Sequence, residues 1–147
     1  MIRLQIATLG AAAAGLLLLS SPVLAQEAAR DSSVALTFET GTPTGAVMVA
    51  LYDSPAAWTG GRPVGQTMLD VAAGETTATF RGLPAGEYAA KAFHDVDGDG
   101  EMDANPFGLP TEPYAFSNNA VGNMGPASWE RARFTVSGAT AQTIRLR

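Results

Sequence analysis

Hydrophobic and polar residues alternate in short segments along most of the chain. Val34, Leu36 and Phe38 alternate with Ala and Thr, which is the period-two pattern of a half-buried strand. Six further segments have a comparable apolar pattern: 47–52, 66–71, 76–81, 88–93, 132–137 and 141–146. Turn residues separate them, and no segment after the N-terminal region keeps a helical period. The pattern therefore predicts an all-β domain, an antiparallel two-sheet sandwich of about seven strands.

Two segments between these strands are predicted to be irregular. Residues 53–63 contain two prolines and two glycines and are expected to form a loop. Residues 95–128 form a much longer stretch, and such a stretch in a small domain is either functional or disordered. It carries too many large apolar residues for disorder, so we expect an ordered flap over the sandwich. A helical turn at 126–131, with Trp129 as a buried anchor, should precede the last two strands.

Tyr88 follows a corner rich in glycine, residues 82–86. Sandwich domains often place a tyrosine at such a corner, where its hydroxyl bonds back to the main chain. The other interpretation is an ordinary half-buried tyrosine of a strand, and the sequence leaves both open.

The N-terminal residues have the pattern of a secretory signal peptide. Arg3 supplies a positive charge, residues 6–19 are uncharged and mostly apolar, and Val23 and Ala25 suit a peptidase that cleaves before Gln26. A membrane anchor is the rival interpretation, but a spanning helix needs about 20 apolar residues. We therefore expect a signal peptide at 1–25, a flexible leader at 26–33 and the sandwich at 34–147. The product would be exported, to the periplasm or outside the cell, with no membrane span after cleavage.

Composition narrows the choice of partners. The net charge is −5, and most of the excess lies in one short segment, residues 95–103. With no basic patch, the sequence disfavours nucleic acid and anionic membranes as partners. The chain contains no cysteine, so no disulfide can compensate for a small core. An exported domain of this kind must rely on packing or on a metal.

The acidic segment has the spacing of a calcium loop. With Asp95 as position one, carboxylates follow at positions three, five and nine, and Gly100 falls at position six. The predicted ligands are Asp95, Asp97, Asp99, the main-chain carbonyl of Glu101, and Asp103. Alternate side chains of such a loop converge on one centre while the glycine makes the sharp turn. Hard oxygen ligands suit Ca²⁺ rather than zinc or copper.

The match to a full calcium loop ends there. Position twelve is Pro106 instead of a bidentate glutamate, and no helix pattern flanks the loop, so it is not an EF-hand. Binding should be weak, in the ~0.1–1 mM range of extracellular modules. Glu112 or Asn105 could supply a late ligand, and the spacing does not decide between them. The alternative is a solvated turn in which the acids never converge.

His94 is the only histidine and would have to serve any nucleophilic triad. Ser117 is a conceivable nucleophile, but the chain has no G-x-S-x-G elbow and no cysteine. His94 is therefore expected to be structural or to orient the acidic loop. Zinc is disfavoured with one histidine and no cysteine.

A ligand surface is a weaker prediction. His94, Tyr114, Asn118 and Asn119 could together contact a small molecule, a glycan or an envelope protein. Such asparagines more often serve turns, and such aromatic residues more often serve the core.

Several motifs in order resemble a known bacterial family. They are GLPAGEY at 82–88, FHD at 93–95, the acidic glycine loop, and YAFSNN at 114–119. The chain resembles the domain of unknown function 2141 family of small exported proteins, from about Val34 to Arg147. That family often has Asn where this chain has Asp97 and Asp99, and both residue types can bind calcium. The resemblance implies an immunoglobulin-like or transthyretin-like sandwich and no established activity.

The leading functional hypothesis is an exported, non-enzymatic binding or envelope-associated module with a calcium-stabilised loop. One alternative is a hydrolase that uses His94 as its base. The other is a purely structural domain that binds proteins through its sheet edges.

Overall fold

The computed structural model of the protein describes residues 32–147. The predicted signal peptide and most of the predicted leader lie outside these residues. The first strand begins at Ser32, two residues before the predicted start of the sandwich. Ser32 is buried, and its hydroxyl accepts a hydrogen bond from the Gly138 N–H at 2.8 Å, which holds the start of the strand in the fold.

Eight strands and two short helices make up the domain. They are β1 (Ser32–Glu39), β2 (Ala46–Tyr52), α1 (Pro55–Gly60), β3 (Gly65–Asp70), β4 (Thr77–Leu83), β5 (Gly86–Asp95), β6 (Tyr114–Phe116), α2 (Trp129–Ala132), β7 (Phe134–Val136) and β8 (Ala139–Arg145). A 3₁₀ turn, Ser117–Asn119, follows β6. Within residues 32–147, no helix has the length and apolar character needed to cross a bilayer.

The strands form two sheets, which confirms the predicted sandwich. One sheet has the order β4-β1-β8, and the other has the order β3-β2-β5-β6, with β7 also paired to β5. The pairing is antiparallel except between β1 and β8, which run parallel. The expectation of an entirely antiparallel sandwich is corrected at this pair. A parallel pair needs a crossover, and here nearly the whole domain lies between its two strands.

The main core lies between the sheets and follows from the alternation in the sequence. In β1, Val34, Leu36 and Phe38 are buried while the residues between them are partly exposed. They pack in one cluster with Val49 of the other sheet and Ile144 of β8. The strand pattern predicted from period two is therefore the pattern that fills the core.

A second, aromatic cluster lies around α1, in the segment predicted to be a loop. Residues 55–60 are helical because the Ser54 hydroxyl accepts a hydrogen bond from the Ala57 N–H, and Pro55 suits a first turn. Trp58 is buried, and its indole N–H donates to the Ala127 carbonyl at 3.0 Å. Its ring packs edge-on against Trp129, with centroids 6.3 Å apart. The expected helical turn is present as α2, and its anchor Trp129 is buried.

The corner before β5 is a tyrosine corner. The Tyr88 hydroxyl donates a hydrogen bond of 2.8 Å to the carbonyl of Pro84, and the ring is buried in the main core. Of the two interpretations open in the sequence, the structure confirms the corner.

Candidate metal centre

The acidic loop begins where β5 ends. Asp95 is the last residue of this strand, pairs with Ala46 of β2, and is only 3% exposed. Gly45 lies against it with φ of +74°, and a β-carbon there would meet the Asp95 carbonyl oxygen at 2.1 Å. Only glycine allows the chain before β2 to lie so close to Asp95. The pairing of β2 with β5 therefore fixes where the acidic loop begins.

The buried carboxylate of Asp95 accepts hydrogen bonds from the main chain of the acidic loop. One oxygen accepts the N–H of Gly98 at 2.7 Å and the other accepts the N–H of Gly100 at 2.9 Å. Both glycines have positive φ, 82° and 83°, which a side chain would disfavour. Gly100 therefore makes the turn that its position in the sequence predicted.

Two exposed carboxylates continue the turn. Asp97 accepts the N–H of Asp99 at 3.3 Å, and Asp99 accepts the N–H of Glu101 at 2.8 Å. Each bond holds a carboxylate back against its own loop. Carboxylate oxygens of Asp95, Asp97 and Asp99 consequently lie within 4.8 Å of one another.

Glu112 approaches the loop from a distant part of the chain. Its side chain is buried and bridges the loop, accepting the Val96 N–H at 2.8 Å and the Asp103 N–H at 3.2 Å. Carboxylate oxygens of Glu112, Asp97 and Asp103 form a second set within 4.8 Å, which shares Asp97 with the first. The sequence predicted Glu112 only as one of two possible late ligands, because its distance along the chain from Asp103 does not indicate a metal ligand.

Asn105, the other candidate for a late ligand, has a different place. Its side-chain oxygen accepts the N–H groups of Phe107 and Leu109, at 3.0 and 3.1 Å. It closes a tight turn beyond the acidic residues. Glu101 is exposed and belongs to neither set of converging carboxylates, and its expected contribution through a main-chain carbonyl stays a prediction.

The carboxylates act on one another electrostatically. Repulsion from Asp97, then burial, then repulsion from Asp99 raise the pKa of Asp103 above its ordinary value, and Glu112 and Asp95 add to this. A cation among these oxygens would relieve the repulsion. The donor set consists of hard oxygens only, and it fits Ca²⁺ better than a metal that prefers nitrogen or sulfur.

His94 is wholly buried next to the loop. Its Nε2–H donates to the Thr44 carbonyl at 2.6 Å, and its Nδ1 is buried without a hydrogen-bond partner. Ser117, the conceivable nucleophile, is also buried and is bonded to the main chain of Ala90 and Ala132. Neither side chain is presented to solvent, where a substrate could reach it.

The two asparagines join parts of the fold. Asn118 donates from its side-chain nitrogen to the carbonyls at the end of α2, at 2.8 Å to Arg133, and bonds to Gln142 of β8. Asn119 donates to the Thr143 carbonyl and accepts the Arg145 N–H, so its amide pairs with β8 as a strand would. Tyr114 remains exposed, and it borders a cavity of about 100 Å³ together with Asn119, Val121 and Arg147. The structure thus brings Tyr114 and Asn119 together and places His94 elsewhere.

Comparison with known proteins supports the family resemblance. A search of curated proteins found no match. The model of a family described as "Uncharacterized protein conserved in bacteria (DUF2141)" matches residues 39–145, which include seven of the eight described strands, β2 to β8, and the whole acidic loop. The chain therefore belongs to this family of uncharacterized bacterial proteins.

Proposed function

We propose that this protein is an exported, non-enzymatic binding module whose acidic loop holds a structural calcium ion. The observation that carries the proposal is the convergence of carboxylates in two sets that share Asp97. Asp95 and Asp99 lie close to Asp97 in one set, and Asp103 and Glu112 lie close to it in the other. Glu112 takes the part of the acidic ligand that is missing at position twelve.

The ion would stabilise the loop rather than carry out chemistry. Without a cation, the carboxylates repel one another, as the raised pKa of Asp103 indicates. Calcium would join the end of β5 to Glu112, which precedes β6, and so fix the long segment between them. The expected affinity is ~0.1–1 mM, typical of extracellular calcium modules.

The buried state of His94 supports a non-enzymatic role over a hydrolase. A general base must come within hydrogen-bond reach of the proton that it removes. The Nε2 of His94 is already bonded to the Thr44 carbonyl, and His94 does not line the cavity beside Tyr114. A ligand surface is better sought on the exposed parts of residues 105–129, with Tyr114 as one contact.

Calcium binding is tested by thermal unfolding of the purified protein with calcium or with a chelator. At a calcium concentration ten times Kd, binding adds about 1.4 kcal/mol to the free energy of unfolding. For a domain of this size the melting temperature should rise by roughly 5 °C. Asp97→Ala should abolish the rise because Asp97 belongs to both carboxylate sets, while the exposed, distant Glu130→Gln should keep it.

Identical melting curves of the unmodified protein in calcium and in chelator would refute the calcium proposal.

Export is tested separately, by expressing the full chain in a bacterium and determining the N-terminus of the protein from the periplasmic fraction. A chain that begins at Gln26 would support export, and an uncleaved cytoplasmic chain would contradict it.

A further inference from the structure

Exposed apolar side chains are concentrated in one part of the domain. Nine large apolar residues are exposed within residues 32–147, and six of them belong to the segment 102–124. They are Met102, Phe107, Leu109, Tyr114, Val121 and Met124. This concentration of exposed apolar side chains makes the segment the candidate for a site of interaction.

Phe107 and Leu109 form an apolar tip on a well-ordered turn. Phe107 is 88% exposed and Leu109 is 61% exposed. The Asn105 side chain accepts both of their N–H groups, and the Asn105 N–H donates to the Leu109 carbonyl at 2.8 Å. An isolated bridge between Ala104 and Pro110 closes the turn. Because the backbone is already fixed, little conformational entropy is lost when this tip binds.

The same segment also borders a cavity that suits such a tip. The cavity has a volume of about 100 Å³, and its lining includes Tyr114, Val121, Arg145 and Arg147. An engineered apolar cavity of roughly 150 Å³ holds a benzene molecule. The present cavity is smaller and partly open, and it has room for the end of one apolar side chain.

We propose that a second copy of this chain is the partner, and that the apolar tip of one copy enters the cavity of the other. The tip follows the acidic loop, whereas Arg147 on the lining of the cavity adds positive charge beyond the Arg145–Glu39 ion pair, so the two surfaces are complementary in charge. Only residues 110–113 separate the tip from Tyr114 at the cavity. Two copies can thus exchange tips around a two-fold axis and form a closed dimer.

The proposal is tested by sedimentation equilibrium of the protein purified from the full-length gene, over a range of concentrations. We expect a monomer–dimer equilibrium with a Kd in the micromolar range or weaker, because each contact is small. Phe107→Ser should raise the Kd about 30-fold or more, as loss of a central aromatic anchor does. Met68→Ser, which removes a side chain 60% exposed on β3, should leave the Kd unchanged.

A mixing experiment distinguishes exchanged tips from unspecific association. Arg147→Glu should raise the Kd about tenfold by reversing a charge at the cavity. Phe107→Ser retains the cavity, and Arg147→Glu retains the tip. An equimolar mixture of the two variants can form one intact contact per dimer, so it should associate more strongly than Phe107→Ser alone.

Two results would overturn the dimer. One is a protein that stays monomeric at every concentration, including a monomer that sediments with phosphatidylcholine vesicles through Phe107. The other is a dimer that Phe107→Ser does not weaken. The dimer does not require calcium, although calcium would reduce the negative charge beside the tip, so the measurement is made in chelator as well as in calcium. Failure of the calcium-dependent melting shift would leave the dimer standing, and loss of the dimer would leave the calcium proposal standing.

Discussion

Asp103 is the residue at which repulsion within the acidic loop is most directly measurable. Its neighbours raise its pKa, with Asp97 as the largest cause. In chelator, an NMR titration of its carboxyl carbon should give a pKa above that of free aspartate. Asp97→Asn should lower this pKa, and Asp53→Asn, outside the loop, should not. An Asp103 pKa unaffected by Asp97→Asn would contradict the electrostatic account of the loop.

The direction of the shift decides its effect on stability. Because the pKa of Asp103 is higher in the folded protein, its protonation favours the fold. In chelator this contribution is complete below the ordinary aspartate pKa and is lost as the pH rises through the raised value. Calcium needs the ionised carboxylate, so acidification over the same range should weaken calcium binding.

The Tyr88 hydroxyl makes a second prediction at the scale of one residue. Burial, then the charge of Asp53, raise the pKa of Tyr88, so the hydroxyl remains a donor to the Pro84 carbonyl. Tyr88→Phe should reduce the free energy of unfolding by about 1 kcal/mol, as measured in urea. Tyr114→Phe is the control, because its ring is partly exposed. Equal stability of Tyr88→Phe and the unmodified protein would mean that the corner bond contributes nothing.

At the scale of elements, the sequence predicts the strands whose formation depends on a local pattern of residues. The seven predicted strands are all present, because period-two alternation and burial of one face are the same property. β6 was missed because three residues are too few to show alternation, and the strand is held by pairing with β5. Helix α1 was missed because the glycines and prolines of residues 53–63 indicate a loop, although Ser54 and Pro55 form a good helix start.

The residues of the candidate metal centre also differ in whether a local sequence pattern predicts them. Asp95, Asp97, Asp99 and Gly100 lie close together in sequence, and their spacing alone predicts the turn that they make. Glu112 reaches the loop only because the intervening turn returns the chain to it, and no local pattern encodes that return. The parallel pairing of β1 with β8 is likewise a long-range contact that strand patterns leave undetermined.

Ser117 connects three elements and allows a test at this scale. Its buried hydroxyl accepts the Ala90 N–H of β5 at 2.8 Å and donates to the Ala132 carbonyl of α2 at 2.6 Å. Ser117→Ala leaves the Ala90 N–H buried without its partner and should cost about 1–3 kcal/mol of unfolding free energy. Ser128→Ala, an exposed residue whose hydroxyl makes no capping bond, should change stability far less. If both variants are equally stable in urea, the buried hydroxyl does not join these elements energetically.

At the scale of the whole molecule, the domain holds together without a covalent link between its parts. The chain has no cysteine, so its stability depends on two packed clusters and on the pairing of its first strand with its last. The main cluster fills the space between the sheets, while the second surrounds Trp58 and Trp129 beside β5. Ala90 of β5 belongs to the main cluster and Ala89 belongs to the second. Loss of packing in one cluster should therefore destabilise the other through this strand.

Ile144 of β8 tests whether the domain unfolds as one unit. It is 1% exposed in the main cluster, so Ile144→Ala should cost about 2–5 kcal/mol, whereas the exposed Thr143→Ala should cost less than about 0.5 kcal/mol. Both tryptophans belong to the second cluster, so their fluorescence reports on a part of the fold that Ile144 does not touch. In urea, fluorescence and far-ultraviolet circular dichroism should shift to the same lower midpoint in Ile144→Ala, because unfolding is cooperative. A fluorescence midpoint that stays in place while the circular dichroism midpoint falls would show that the two clusters unfold separately.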